Sequence, residues 1–103
     1  MNQNQFDLVV EAVHLNPVGQ VDFVRLYERR GPAYSDHMIY TRKQLVAALR
    51  AKKKAATGFR VKGQASSFQL KDEIHLQESN GLTFLSTGPI TTDGDILVNV
   101  PFL

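Results

Sequence analysis

Hydrophobic positions recur with a helical period in one stretch of the chain, residues 41–54, TRKQLVAALRAKKK, and with a shorter period almost everywhere else. At about 100° per residue, Leu45, Val46 and Leu49 fall on one side with Ala48 at its edge, while Lys43, Arg50 and Lys54 form a stripe on the other. Thr41 followed by Gln44 is the pattern of a reciprocal capping box, and Tyr40 with Leu45 supplies the accompanying hydrophobic staple. Arg42 and Lys53 flank the apolar face and can lay their methylenes along it while their charges stay in water. Lys52 falls on the packed side, so the helix is expected to end near Lys53 or to run one turn further, with Gly58 as its stop. The pattern predicts a helix over about 42–53.

Before the helix the period is two. Phe6, Leu8, Val10 and Ala12 alternate with Asp7, Val9, Glu11 and Val13, a strand whose second face is only partly polar. Asn16-Pro17-Val18-Gly19 suits a short hairpin loop, proline presetting the first turn residue and glycine accepting a positive φ. Residues 21–30 are apolar on both faces, as in a central or bulged strand, until Gly31-Pro32 ends it. Residues 37–40 read as a short third strand. After the helix, Thr57, Phe59 and Val61 alternate with Gly58, Arg60 and Lys62, giving a strand with a basic outer face. A short strand around Phe68 and Leu70 follows a loop at 63–67. Asn80-Gly81 then separates strands at 73–77 and 82–86, and Asp93-Gly94 separates strands at 90–92 and 96–100; both dipeptides favour the type I′ hairpin turn. Successive hairpins with one helix predict an α+β fold. The sheet is expected to be curved and antiparallel, or a partly open small β-barrel, with the amphipathic helix between the front and back strands.

Length and charge narrow the picture. The 103 residues predict a single domain that buries roughly two-thirds of its unfolded surface. No apolar run is long enough for a bilayer, and MNQNQ lacks the basic start of an export signal. The absence of cysteine excludes a disulfide framework and a thiolate site, which fits a cytoplasmic location. The net charge of +2 hides an uneven distribution: residues 1–36 carry −2, residues 37–71 carry +9 with no acid, and residues 72–103 carry −5 with no base. Such asymmetry points to an electrostatic partner, or to thirds that complement one another in the fold.

Candidate chemistry is sparse. Ser35-Asp36-His37 has the letters of a hydrolytic triad, but triad members meet in space, and consecutive residues of an extended segment point opposite ways. His14, His37 and His75 lack metal-ligand spacing, and Asp93 with Asp95 lacks the remaining ligands of a calcium loop. The glycine interval from Gly58 to Gly63 is followed by Gln64-Ala65, not by the Lys and Ser/Thr of a phosphate loop. No metal, cofactor or enzymatic activity is therefore expected. The basic middle of the chain leads instead to a small binding module. Lys43, Arg50, Lys54, Arg60 and Lys62 would contact phosphates, and Tyr34 or Phe59 would stack on bases of single-stranded nucleic acid or lie against another polyanion. The competing expectation is a protein-interaction or self-associating module, its basic middle meeting an acidic protein or the acidic third of a second copy, with no nucleic-acid role.

Overall fold

The computed structural model describes residues 5–63, 67–79, 81–87, 95, 97 and 100–103. Its elements in chain order are strands β1 (Leu8–Leu15), β2 (Val21–Arg30), β3 (Ala33–Tyr34) and β4 (Met38–Thr41), helix α1 (Arg42–Arg50), and strands β5 (Ala55–Arg60), β6 (Phe68–Ser79) and β7 (Leu82–Thr87). They form a curled, open half-barrel of mixed strands with one helix, an α+β fold. The strand order is β3-β2-β1-β5-β6-β7, with β4 also paired to β2. The sheet is antiparallel except at its centre, where β1 runs parallel to β5 through Leu8–Ala55, Val9–Ala56 and Val10–Thr57. Hairpin succession predicts only antiparallel pairs, whereas α1 and its turn return the chain in the direction of β1.

The apolar runs sort the strands. Leu8, Val9 and Val10 are fully buried because β1 is covered on both faces. One face carries the main core, in which Leu8, Val10, Val13, Val24 and Leu26 meet Leu45 and Val46 of α1, Ile74 of β6 and Leu85 of β7. The other carries a smaller cluster of Val9, Tyr27 and Phe68, with Tyr34 and Leu70 packed against it. A bulge between Val10 and Ala12 lets β1 keep Val10 and Val13 on one face, and it is also where β1 parts from β5. Past that fork the chain's last residues take the place beside β1: Val13 N–H donates to Pro101 O at 2.9 Å and Leu103 N–H to Val13 O at 2.8 Å. The bend of β6 has a similar cause. Residues 68–70 and 73–77, expected as separate strands, are one strand with an irregularity opposite Thr57, whose hydroxyl oxygen accepts the Asp72 N–H at 3.1 Å.

Turn chemistry behaves as expected where it is described. Gly81 takes φ +79° between β6 and β7, which pair from Ile74–Thr87 to Ser79–Leu82. Asn16 Oδ1 accepts the N–H groups of Val18 and Gln20 in the β1–β2 loop. The second predicted hairpin, at Asp93-Gly94, lies outside the described residues. Asp95 itself is placed, and it ties three elements together: Oδ1 accepts from Leu85 N–H and Arg42 Nη2, and Oδ2 from Val21 N–H and Arg42 Nε, each at 2.9 Å. Burial would raise this carboxyl, but Arg42 and the two backbone N–H groups outweigh burial and hold it below the ordinary carboxylate range. The acidic end of the sequence thus neutralises part of its basic middle from within. No helix among the described residues is long and apolar enough to cross a membrane.

Candidate anion-binding surface

Helix α1 begins as its sequence dictates. Thr41 Oγ1 accepts the Gln44 N–H at 3.2 Å and Gln44 Oε1 accepts the Thr41 N–H at 2.8 Å, closing the capping box. Leu45 and Val46 are buried in the main core, and Tyr40 and Leu49 pack beside them. The other end differs from expectation. The helix stops at Arg50, not near Lys53, because Lys52 adopts the left-handed conformation at φ +71°. Lys52 N–H then donates to Leu49 O and Lys53 N–H to Ala48 O, both at 3.1 Å, which is the Schellman pairing that satisfies a helix's last carbonyls. Glycine normally fills this position, since a side chain there crowds its own backbone. In this chain a lysine does.

The turn is also fixed from its far side. Lys54 N–H donates to Asp7 Oδ2 at 2.9 Å, while Lys54 O accepts from Asp7 N–H at 2.8 Å and Leu8 N–H at 3.1 Å. The Lys54 N–H, working against burial, and then the Arg29 guanidinium hold the Asp7 carboxyl below its ordinary value, and nearby Lys53 adds to the effect. Lys52, Lys53 and Lys54, all exposed, therefore rise from a turn hydrogen-bonded on both sides. With Leu49 and residues 73–76 of β6 they line a hollow, its aliphatic part made by Leu49, Ile74 and Leu76 and its other polar groups by Glu73 and His75. Along the same helix, Lys43 and Arg50 border a second, shallow groove over Val46 and Ala47.

Lysines and arginines divide by role. The chain has six of each. Every arginine is engaged: Arg25 with Glu11 at 2.6 Å, Arg29 with Asp7 at 3.3 Å, Arg30 with Glu28 at 3.5 Å and Arg42 with Asp95 at 2.9 Å. Arg50 donates to Thr83 Oγ1 at 2.8 Å and pairs with Glu78 at 3.7 Å, though its side chain is still 58% exposed. Arg60 donates to Ser35 O at 2.9 Å and lies over the Tyr27 ring at 4.5 Å. By contrast Lys43, Lys52, Lys53, Lys54 and Lys62 are exposed and make no ion pair among the described residues. The planar, multidentate guanidinium suits internal fastening, whereas the ammonium remains a hydrated point charge.

The residues singled out by sequence do not all meet. Lys43 and Arg50 stand together along α1, while Lys54, past the left-handed turn, lines the hollow with Lys52 and Lys53. Arg60 and Lys62 lie toward the other end of β5, roughly 20 Å along the strand from Lys54. The predicted basic outer face of that strand is a packed face, with Arg60 half-buried against Tyr27 and Phe68. Tyr34 packs on Phe68 with ring centroids 4.6 Å apart and donates its hydroxyl to Phe6 O at 3.1 Å. Phe59, next to Arg60 in the strand, points to the opposite face; it is 46% exposed, with Lys71 Nζ 5.7 Å from its ring centre. Tyr34 packs in the smaller cluster, on the side of the sheet that Arg60 faces, so it and Phe59 do not form one platform. Lys52 and Lys53, which the sequence offers as end charges of the same positive surface, line the hollow with Lys54.

Other polar groups have structural duties. The Ser35 hydroxyl accepts the Glu28 N–H at 3.0 Å and donates to Asp36 O at 2.8 Å, so it does not face His37 as a triad serine would. Glu11, lifted by the β1 bulge, accepts from Arg25 Nε and from the Tyr27 hydroxyl at 2.8 Å, and His37 Nδ1 stands 4.0 Å away. Burial and the Glu11 carboxylate push the Tyr27 phenol up. Among the described residues no group of three His, Cys, Asp or Glu side chains gathers in a metal-ligand arrangement. No protein-family model, curated protein or solved structure matches the chain.

Proposed function

We propose that the chain is a small non-enzymatic binding module whose ligand is a polyanion, with single-stranded nucleic acid the leading case. The contacts are Lys43 and Arg50 along α1 and Lys52, Lys53 and Lys54 at its end. The observation that carries this reading is the division of the cations. Each arginine has an internal partner, Arg50 keeping a side chain 58% exposed, whereas Lys43, Lys52, Lys53 and Lys54 are exposed and make no ion pair among the described residues. Charges so placed attract phosphates through release of condensed counterions, a term that needs no shaped pocket.

The test is a salt titration with labelled single-stranded DNA and RNA. If all five of these cations meet phosphates, the logarithmic slope against salt is about −3.5, and affinity falls about a hundred-fold between about 50 and about 200 mM salt. Replacing Lys43 and Lys54 together by glutamine takes about 1.4 from the magnitude of that slope. No binding at low salt by the folded protein sinks the proposal. A second reading, docking of an acidic protein segment, draws support from the apolar strip of Val46 and Ala47 between Lys43 and Arg50. It requires recovery of an acidic partner, or self-association in sedimentation, with no affinity for nucleic acid.

A further inference from the structure

We propose that Lys52 is the residue on which this surface turns, and that the ligand it takes is a phosphate chain recognised without its bases. This rests on the polyanion reading above and narrows it. The first support is the backbone. A non-glycine residue held in the left-handed region is strained, and such positions mark sites where the side chain matters to something other than the fold. At φ +71°, Lys52 occupies the one non-glycine positive-φ position among the described residues. Glycine would make the same two carbonyl contacts through backbone alone, so the lysine side chain contributes nothing to the Schellman bonds it accompanies.

The second support is preorganisation. Helix carbonyls hold the turn on one side and Asp7 on the other, so a ligand does not have to order the backbone that carries the three ammonium groups. The third is what surrounds them. The apolar lining of the hollow beside them is aliphatic, Leu49, Ile74 and Leu76, while Tyr34 is packed away and Phe59 stands toward the other end of β5. Base stacking needs aromatic platforms and base reading needs planar forks; the exposed lysines provide neither. What they match is a row of phosphates.

The experiment uses the whole chain and four forms: wild type, Lys52→Gly, Lys52→Ala and Lys62→Gln. Probes are labelled oligo-dT, oligo-dA of the same length, unlabelled inorganic polyphosphate and polyglutamate as competitors. Lys52→Gly is expected to melt a few degrees higher, because glycine relieves the left-handed strain, yet to bind more weakly with about 0.7 lost from the salt slope. Lys52→Ala keeps the strain and loses the charge, so it binds as weakly without the rise in Tm. Lys62→Gln, beyond the far end of β5, binds as wild type does. Oligo-dT and oligo-dA bind equally, and polyphosphate displaces both.

Wild-type affinity retained in Lys52→Gly, or a loss no larger than that of Lys62→Gln, overturns the role of Lys52. Preference for one base overturns recognition by phosphates alone, and polyglutamate competing as well as polyphosphate assigns the surface to an acidic protein. Absence of wild-type binding to every phosphate probe overturns the polyanion reading and this inference together. Binding by wild type with Lys52→Gly unaffected overturns this inference alone.

Discussion

Replacing Asp95 by asparagine tests the knot that joins α1 to both ends of the sheet. The Asp95 side chain is 0% exposed, and each carboxylate oxygen accepts one backbone N–H and one Arg42 N–H. Asparagine keeps one acceptor. Its amide nitrogen then faces an Arg42 donor and a backbone donor, and Arg42, itself only 28% exposed, loses its counter-charge. Hydrogen bonds to a charged group contribute ~1.5–3 kcal/mol each, and stranding one partner of a buried pair costs about 3–5 kcal/mol. The expected loss is therefore about 3–5 kcal/mol, a large part of the ~5–15 kcal/mol that holds a domain folded, and Tm falls by about 12 °C or more. Chemical denaturation at neutral pH measures it as a drop in midpoint at constant slope. Acid adds a second signature. Because the folded carboxyl sits below its unfolded value of about 3.9, its stabilisation is present above that pH and is lost as pH falls through the folded pKa. The gap between wild type and Asp95→Asn must narrow below about pH 4. A neutral-pH loss under about 1 kcal/mol, or a gap that stays constant into acid, refutes the reasoning.

Two further substitutions probe backbone fits. A Cβ at Gly58 would stand 2.5 Å from Gln69 O and 3.1 Å from Leu70 Cα, backbone atoms of the neighbouring strand, so Gly58→Ala is expected to cost about 1–3 kcal/mol in denaturation, whereas open space surrounds Gly81 and only its positive φ resists alanine there. Thr41→Ala removes the oxygen that caps α1 and is expected to cost about 1 kcal/mol, read as a shifted denaturation midpoint with unchanged slope.

Legibility followed the range of the interactions. The start of α1 was readable because Thr41, Gln44 and Tyr40 lie within one turn of each other. Its end was not, since the stop is a backbone conformation taken by Lys52, a residue whose type argues against it. The alternation at 57–62 predicts a strand, and β5 runs two residues earlier at each end, from Ala55 to Arg60, with Thr57 and Phe59 on one face. The opposite face, however, is covered by Tyr27 and Phe68, which no local pattern announces. The charge blocks allow either an electrostatic partner or thirds that complement one another, and the pairing of Arg42 with Asp95 is an instance of the second. Which residues meet is a tertiary matter: Arg42 and Asp95 are 53 positions apart. The exposed lysines of the candidate surface were visible in the sequence, but the removal of Arg60 from it required the packed second face.

The parallel pairing of β1 with β5 bears on how the chain acquires its fold. Leu8 and Ala55 are adjacent in the sheet, and Val13 meets Phe102 across nearly the whole sequence. The central strand therefore cannot gain its second neighbour until the intervening hairpin and helix are in place, and loop closure is paid before those contacts return anything. A chain whose middle strand depends on such distant partners belongs with the slower small folders, in the range of about milliseconds to seconds. During that interval Leu8, Val9 and Val10 present an unpaired apolar edge, the segment through which an incompletely folded copy would stick to another.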